Sequence, residues 1–311
     1  MRIGVALLAY NCSKYIGEAI DSVVNQTYKD WVLLIFNNNS DIETTITINK
    51  KLDNCFEQDT TLKSKIWVVT AHDMFHDKAP TLYDPLPTGF ARWLSVKLLI
   101  SHYPEVTHIA LLDGDDIWLN HKLEVQVESI LESTETIGLH FSDCYYGKMV
   151  MRQVENYPAF MEEMEIEPKT FLEHHKKPPF ELFEYLLYKK NIVPCCTIII
   201  EKDAFLRIAK SPSWYYGAED YEWVVRLAKA YACLCVYEPL AIWRRHSNQL
   251  TKKKRISCSL EEVDVVIREA MDILSEDRRS PVRTKLSLVQ HLVWLYFKLA
   301  IKTALGVIRD K

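Results

Sequence analysis

Asp113, Asp115 and Asp116 fall within four residues, directly behind the apolar run Ile109-Ala110-Leu111-Leu112. Carboxylates this close stay ionised only where a cation or a ring of donors holds them. Asp113 and Asp115 are two positions apart, so on extended backbone their side chains leave from one face. One can then grip a divalent ion while the other holds it through water or reaches a bound sugar. Hard oxygen ligands favour Mg2+ or Mn2+, ions that leave positions open for water and substrate phosphates. Such an ion acts as a Lewis acid on a departing diphosphate. A solvated turn would carry the same letters. The apolar strand ahead of them tilts the reading toward a site.

Two further clusters carry chemistry. In "WYYGAEDYEWVVRLAK", Trp214 to Lys229, Asp220 stands near the start of a predicted helix, where the macrodipole favours an ionised carboxylate. An ionised Asp beside a cleft can take the proton of an attacking hydroxyl. Glu219 would orient it or bind the acceptor, and Gly217 would allow close backbone approach to a ligand. The competing reading is that Glu219 and Asp220 only cap the helix. In "WRRHSNQLT", Trp243 to Thr251, His246 follows a predicted strand beside Arg244 and Arg245, a group suited to a diphosphate or to completing a metal's coordination.

The elements that must position these residues follow from hydrophobic period. Ile3 to Ala9, Trp31 to Phe36, Ile66 to Val69 and His108 to Leu112 read as strands. Lys14 to Asn25 and Gly89 to His102 read as helices between them. This alternation predicts a parallel sheet flanked by helices, with ligands at the carboxyl ends of the strands. Further along, the pattern gives a helix over Lys122–Leu131, strands over Gly138–Ser142 and Cys195–Ile200, and a helix over Asp220–Ala230. Leu234–Trp243 holds one or two strands split at Pro239, and Met149–Pro179 is a surface excursion of the length expected of a lid or binding element. After the basic run Lys252–Arg255, helices are expected over Leu260–Leu274 and Val282–Ile308.

Composition limits the classes. The chain has 311 residues, enough for a sizeable core, and a net charge of -4 that argues against nucleic acid as a partner. Its eight cysteines form no disulfide framework and read as small buried hydrophobes of a reducing, cytoplasmic compartment. The first apolar run is too short for a secretory signal, and no run is long enough to span a membrane.

Taken in order, these segments resemble the family-2 glycosyltransferases of GT-A fold, inverting enzymes that use nucleotide-activated sugars. "VALLAYNCSKYIGEAIDSVVNQTYKDWVLLIFNNNSD" looks like that family's nucleotide-binding entry, "GFARWLSVKLLI" its Gly-then-Arg helix and "LLDGDDIW" its D-x-D segment. "GAEDYEWVVRLA" looks like its E-D helix and "EPLAIWRRHSNQLT" its closing Arg-x-His. The resemblance implies a Rossmann-like, mostly parallel α/β sheet over residues 1–251, with a nucleotide-sugar half at 1–118, an acceptor half at 119–251 and a helical extension at 252–311. It implies that Ala9, Tyr10, Asn11, Asn37, Asn39, Arg92, Asp113 and Gly114 surround the nucleotide sugar, a UDP-sugar by preference, with Asn37 at the base. Asp115 and His246 would hold Mn2+ or Mg2+, Asp220 would be the general base, and Trp214, Gly217 and Glu219 would meet the acceptor. Two departures stand out: Asn37-Asn38-Asn39 replaces a turn that usually opens with Asp, and Trp93 follows Arg92 where Asn is common.

The implied activity is single-sugar transfer to a glycan or lipid-linked glycan in bacterial surface polysaccharide synthesis, since the processive enzymes' Q-x-x-R-W segment is absent from the sequence. The alternatives are an inactive nucleotide-sugar-binding module and an Asp-nucleophile phosphatase. The phosphatase reading leaves the E-D helix and Arg-His segment unexplained. The apolar stripe of the last helix would pack on the catalytic domain, join a second copy, or lie on the inner face of the cell membrane.

Overall fold

A computed structural model describes residues 1–75, 85–147, 182–188, 191–247, 249, 255–276, 290–291 and 293–294. Strands β1 (Ile3–Ala9) and β2 (Trp31–Asn37) are buried at all seven positions each. Strands covered on both faces need no polar alternation, which is why both read as unbroken apolar runs. Alternate residues of β1 supply two opposite cores. Val5 and Leu7 meet Ile16, Ala19, Ile20 and Val23 of α1 (Ile16–Val24). Ala6 and Leu8 share the other layer with Ala91, Val96 and Leu99 of α4 (Thr88–His102).

Between these lie α2 (Ile42–Gln58), β3 (Ile66–Thr70) and the short α3 (Ala71–Phe75). The chain continues through β4 (His108–Asp113), β5 (Ile117–Trp118), α5 (Lys122–Glu132) and β6 (Ile137–Gly147). Then come α6 (Leu182–Tyr188), β7 (Ile199–Glu201), α7 (Lys202–Ile208), α8 (Glu219–Ala230), β8 (Ala232–Arg244) and α9 (Arg255–Glu276). One sheet runs in the order β3-β2-β1-β4-β7-β6-β8-β5. β3, β2, β1 and β4 are parallel, as are β6 and β8, whereas β7 and β5 run antiparallel to their neighbours. From β1 the chain builds outward to β2 on one side, and later returns to β4 on the other. Such a reversal opens a crevice at the carboxyl ends of the two strands. Leu8 of β1 lies in register with Asp113 of β4, which puts the acids there.

The mostly parallel α/β sheet flanked by helices that the sequence leads one to expect is the architecture found. Several elements differ in detail. Pro239 does not split β8; the strand absorbs it in register shifts against Ser142–Cys144, since a bulge tolerates the missing donor. Cys195–Thr197 forms a 3-10 turn after Pro194, leaving β7 only three residues. The Met149–Pro179 excursion and nearly all of the Val282–Ile308 helix lie outside the described residues; 290–291 and 293–294 are helical. Among the described residues, no helix is long and apolar enough to cross a membrane.

Candidate active site

The crevice begins where β1 ends. Tyr10 is exposed, and Asn11 turns the chain with φ of 47°, a left-handed conformation Asn adopts more readily than most residues. Asn11 locks onto the turn after β2: its N–H donates to Ser40 Oγ at 3.1 Å and its Oδ1 accepts from the Asp41 N–H at 2.7 Å. Asn37, expected to face a base, is instead 2% exposed. Its Oδ1 accepts from the Ser40 N–H and its Nδ2 donates to Thr45 Oγ1, both at 3.0 Å, so both ends of its amide serve the turn. Asn38 exchanges two hydrogen bonds with the Leu86 backbone. Asn39, also left-handed with φ of 53°, keeps a buried Oδ1 with no partner among the described residues.

At the end of β4 the three aspartates are relieved in three different ways. Asp113 Oδ1 accepts from Arg92 Nη2 at 2.8 Å. Asp115 Oδ2 lies 2.8 Å from His246 Nε2. Asp116 is 2% exposed and accepts the Arg244 N–H at 3.0 Å; burial first, then the neighbouring Cys196, Asp115 and Asp113, holds its carboxyl well above the usual carboxylate range. Gly114 between them donates its N–H to Leu8 O, and a Cβ there would stand 2.7 Å from Cys12 Sγ. The glycine therefore lets β4 close against β1.

Across the sheet, α8 brings Asp220. The Arg92 guanidinium, with only 4% of the side chain exposed, reaches Glu219 Oε1 through Nε and Nη2 at 3.0 Å each while it holds Asp113. The first turn of α8 is thereby fixed beside the end of β4. Asp220 is partly buried and its Oδ1 accepts the Tyr221 N–H at 2.7 Å. Burial, followed by the Glu219 charge, pushes its carboxyl up to about 8. Glu219 is 4% exposed, so it stands behind Asp220 and not on an acceptor-facing surface. Gly217 also differs from expectation. Its N–H donates to Glu261 Oε2 at 2.8 Å, and the space a Cβ would need is taken by Cys258. Its close approach is to α9, not to a ligand. Trp214 is 54% exposed, with its ring 5.1 Å from that of Phe90.

Sequence reasoning missed the support around His246. Tyr15 lies between the His246 ring, 4.7 Å away, and the Arg244 guanidinium, 5.1 Å away. Arg244 pairs with Glu18, and its carbonyl accepts from Gln249. Tyr15 and Glu18 had read only as part of an amphipathic helix; nothing local marks them, because their partners come from more than 220 residues away. The Asp115–His246 pair fits a divalent ion. Two ligands of an octahedral ion, each at about 2.1 Å, stand about 3 Å apart, close to the 2.8 Å seen. Among the described residues no group of three or more such side chains gathers.

Residues 5–65 match the pattern of glycosyl transferase family 2. Over 131 residues the chain is 28% identical to the Escherichia coli UDP-Glc:alpha-D-GlcNAc-diphosphoundecaprenol beta-1,3-glucosyltransferase WfgD, a match covering 42% of this chain and 42% of that protein. The match thus spans about two fifths of the relative's length. The mannosyltransferase PcManGT from Pyrobaculum calidifontis, in complex with GDP-Man and Mn2+, has a TM-score of 0.59 at 14% identity, covering 99% of this chain and 75% of its own. S. aureus TarS 1-349 in complex with UDP-GlcNAc gives 0.58 at 15%, covering 95% and 72%. At these identities the likeness is one of fold. The matched stretch contains β1, the Asn11 turn and the Asn37–Asn39 turn.

Proposed function

We propose that the protein transfers one sugar from a nucleotide sugar to an acceptor hydroxyl, inverting the anomeric carbon. The observation that carries this reading is the Arg92 contact, which sets the first turn of α8, and so Asp220, beside the acids of the strand-end crevice. The nucleotide lies along the ends of β1 and β2, with Tyr10 and Asn11 against it and the free Asn39 Oδ1 accepting an imide N–H such as that of uracil. Asp115 and His246 hold Mg2+ or Mn2+; when bound, that ion neutralises charge on the leaving diphosphate. Asp220 takes the proton of the acceptor hydroxyl as its oxygen bonds to the anomeric carbon. The bond from that carbon to the diphosphate breaks, and the nucleoside diphosphate leaves with the electron pair.

A carboxyl pushed up to about 8 is a stronger base than an ordinary aspartate and still ionises near neutrality, which matches the task of general base. The relative WfgD is named for a UDP-Glc donor and a diphosphoundecaprenol-linked acceptor. A UDP-sugar donor, a lipid-linked glycan acceptor, a role in bacterial surface glycan synthesis and work at the inner face of the membrane follow as proposals. A phosphatase with Asp113 as nucleophile is served less well, since Arg92 already occupies one of that residue's oxygens. Asp220→Asn tests the reading: transfer should fall by about two to four powers of ten while donor affinity holds. Wild-type turnover in that variant would remove Asp220 from the mechanism.

A further inference from the structure

Arg92 sits behind the acids, not among the groups that would meet the nucleotide. It belongs to α4, Asp113 to β4 and Glu219 to α8, and its guanidinium is the point where the three elements join. Gly89, one turn earlier, presses α4 against the same segment: its N–H donates to Tyr215 O, and a Cβ there would stand 2.8 Å from Ser213 O and 2.9 Å from Glu219 Cβ. The joint leaves Arg92 Nη1 and Glu219 Oε2 buried without partners among the described residues. Two unmet polar atoms are a cost a purely structural joint would shed by using apolar residues.

We infer that Arg92 is a positioning residue for Asp220: by clasping Glu219 and Asp113 together it fixes where the first turn of α8 stands and how readily Asp220 gives up its proton. This builds on the reading of Asp220 as the base. The charged and titratable groups around Asp220 are Glu219 on its own helix, Arg92 from α4, Asp113 from β4 and Cys195 from the 3-10 turn. The Cys195 thiol is driven well up by burial, and the Cys258 thiol of α9 beside Glu219 is pushed up to about 11, so both are neutral. That leaves one cation against two anions. Burial, Glu219 and Asp113 oppose the ionisation of Asp220; Arg92 is the one charged group here that favours it, alongside the Tyr221 N–H. A lysine at 92 could not hold two carboxylates with a planar fork.

The experiment needs no substrate. Thermal midpoints of the metal-free full chain are measured from about pH 5 to 9 in three pairs, each with Asp or Asn at 220: wild type, Glu219→Gln, and Glu219→Gln with Arg92→Met. The double change removes the buried pair and leaves only Asp113 unpaired, a carboxylate whose side chain is 29% exposed and so reaches water, which protects folding. A carboxyl raised in the folded state contributes stability at low pH that is lost as pH rises to the folded value, so each pair's difference curve levels off where Asp220 ionises. The expected bend lies near pH 8 in wild type, falls by about one pH unit in Glu219→Gln, and climbs back by a similar amount when Arg92 is also removed. One common bend in all three pairs, or a rise in Glu219→Gln, would overturn the assignment. Transfer by Asp220→Asn reports on the base reading separately, so the two ideas fail by different measurements.

Discussion

Three aspartates in four residues pose a charge problem, and each is solved by a different neighbour. Arg92 takes Asp113, His246 takes Asp115, and Asp116, its carboxyl raised by burial, accepts the Arg244 N–H. Only Asp115 is paired with a group that also binds metals. Asp115→Ala should therefore weaken metal-dependent donor binding at least about tenfold, whereas Asp116→Asn should leave it within about twofold, because the amide oxygen still accepts that N–H. Calorimetric titration of both variants decides it. Gly114→Ala should destabilise the fold by about 1–3 kcal/mol in urea, since the new methyl meets Cys12 Sγ and the chain must shift. The aspartates, Asp220 and His246 were legible in the sequence from type and order. The Arg92 clasp was not, because its partner Glu219 lies 127 positions away.

At the scale of elements, the strands that stood out most plainly were those buried on both faces. β1, β2 and β4 declare themselves as short apolar runs. α2 escaped because its core stripe is Thr44, Ile48, Leu52 and Cys55, one residue per turn in an otherwise polar helix. Its start is marked only by Asp41, whose side chain accepts the Thr44 N–H. α5 shows a different compromise. Lys122 is wholly buried, with Nζ 2.5 Å from Gln126 Oε1 and over the Trp118 ring. Gln126 in turn donates to Thr197 O and contacts His140 Nδ1, tying α5 to the 3-10 turn and to β6. Burial brings the Lys122 ammonium down to about 7. Unfolded, it would keep its proton to about pH 10, so between those values the unfolded chain binds more protons and this group's contribution to stability rises with pH. Lys122→Met should remove that rise. The variant should gain stability over wild type at pH 6 and lose the advantage by pH 9, as read by urea denaturation.

Over the whole molecule, one continuous sheet carries the strand ends that open the crevice, and α9 buttresses the segment leading to Asp220. Glu261 of α9 accepts the N–H groups of Tyr216 and Gly217, and Asp264 accepts the Tyr215 hydroxyl at 2.5 Å. Glu261→Ala should lower transfer by about ten- to a hundredfold through misplacement of Asp220, with metal-dependent donor binding unchanged in the same preparation. α9 is thus joined to the segment that leads into α8, a contact the sequence did not reveal because Glu261 lies 44 positions from Gly217. The most direct measurement of the account is calorimetric binding of UDP-glucose to the full chain with and without Mn2+, in wild type and in Asp115→Ala. The account predicts binding that requires the ion and is lost in the variant. Equal affinity in the absence of metal, or in Asp115→Ala, would contradict it.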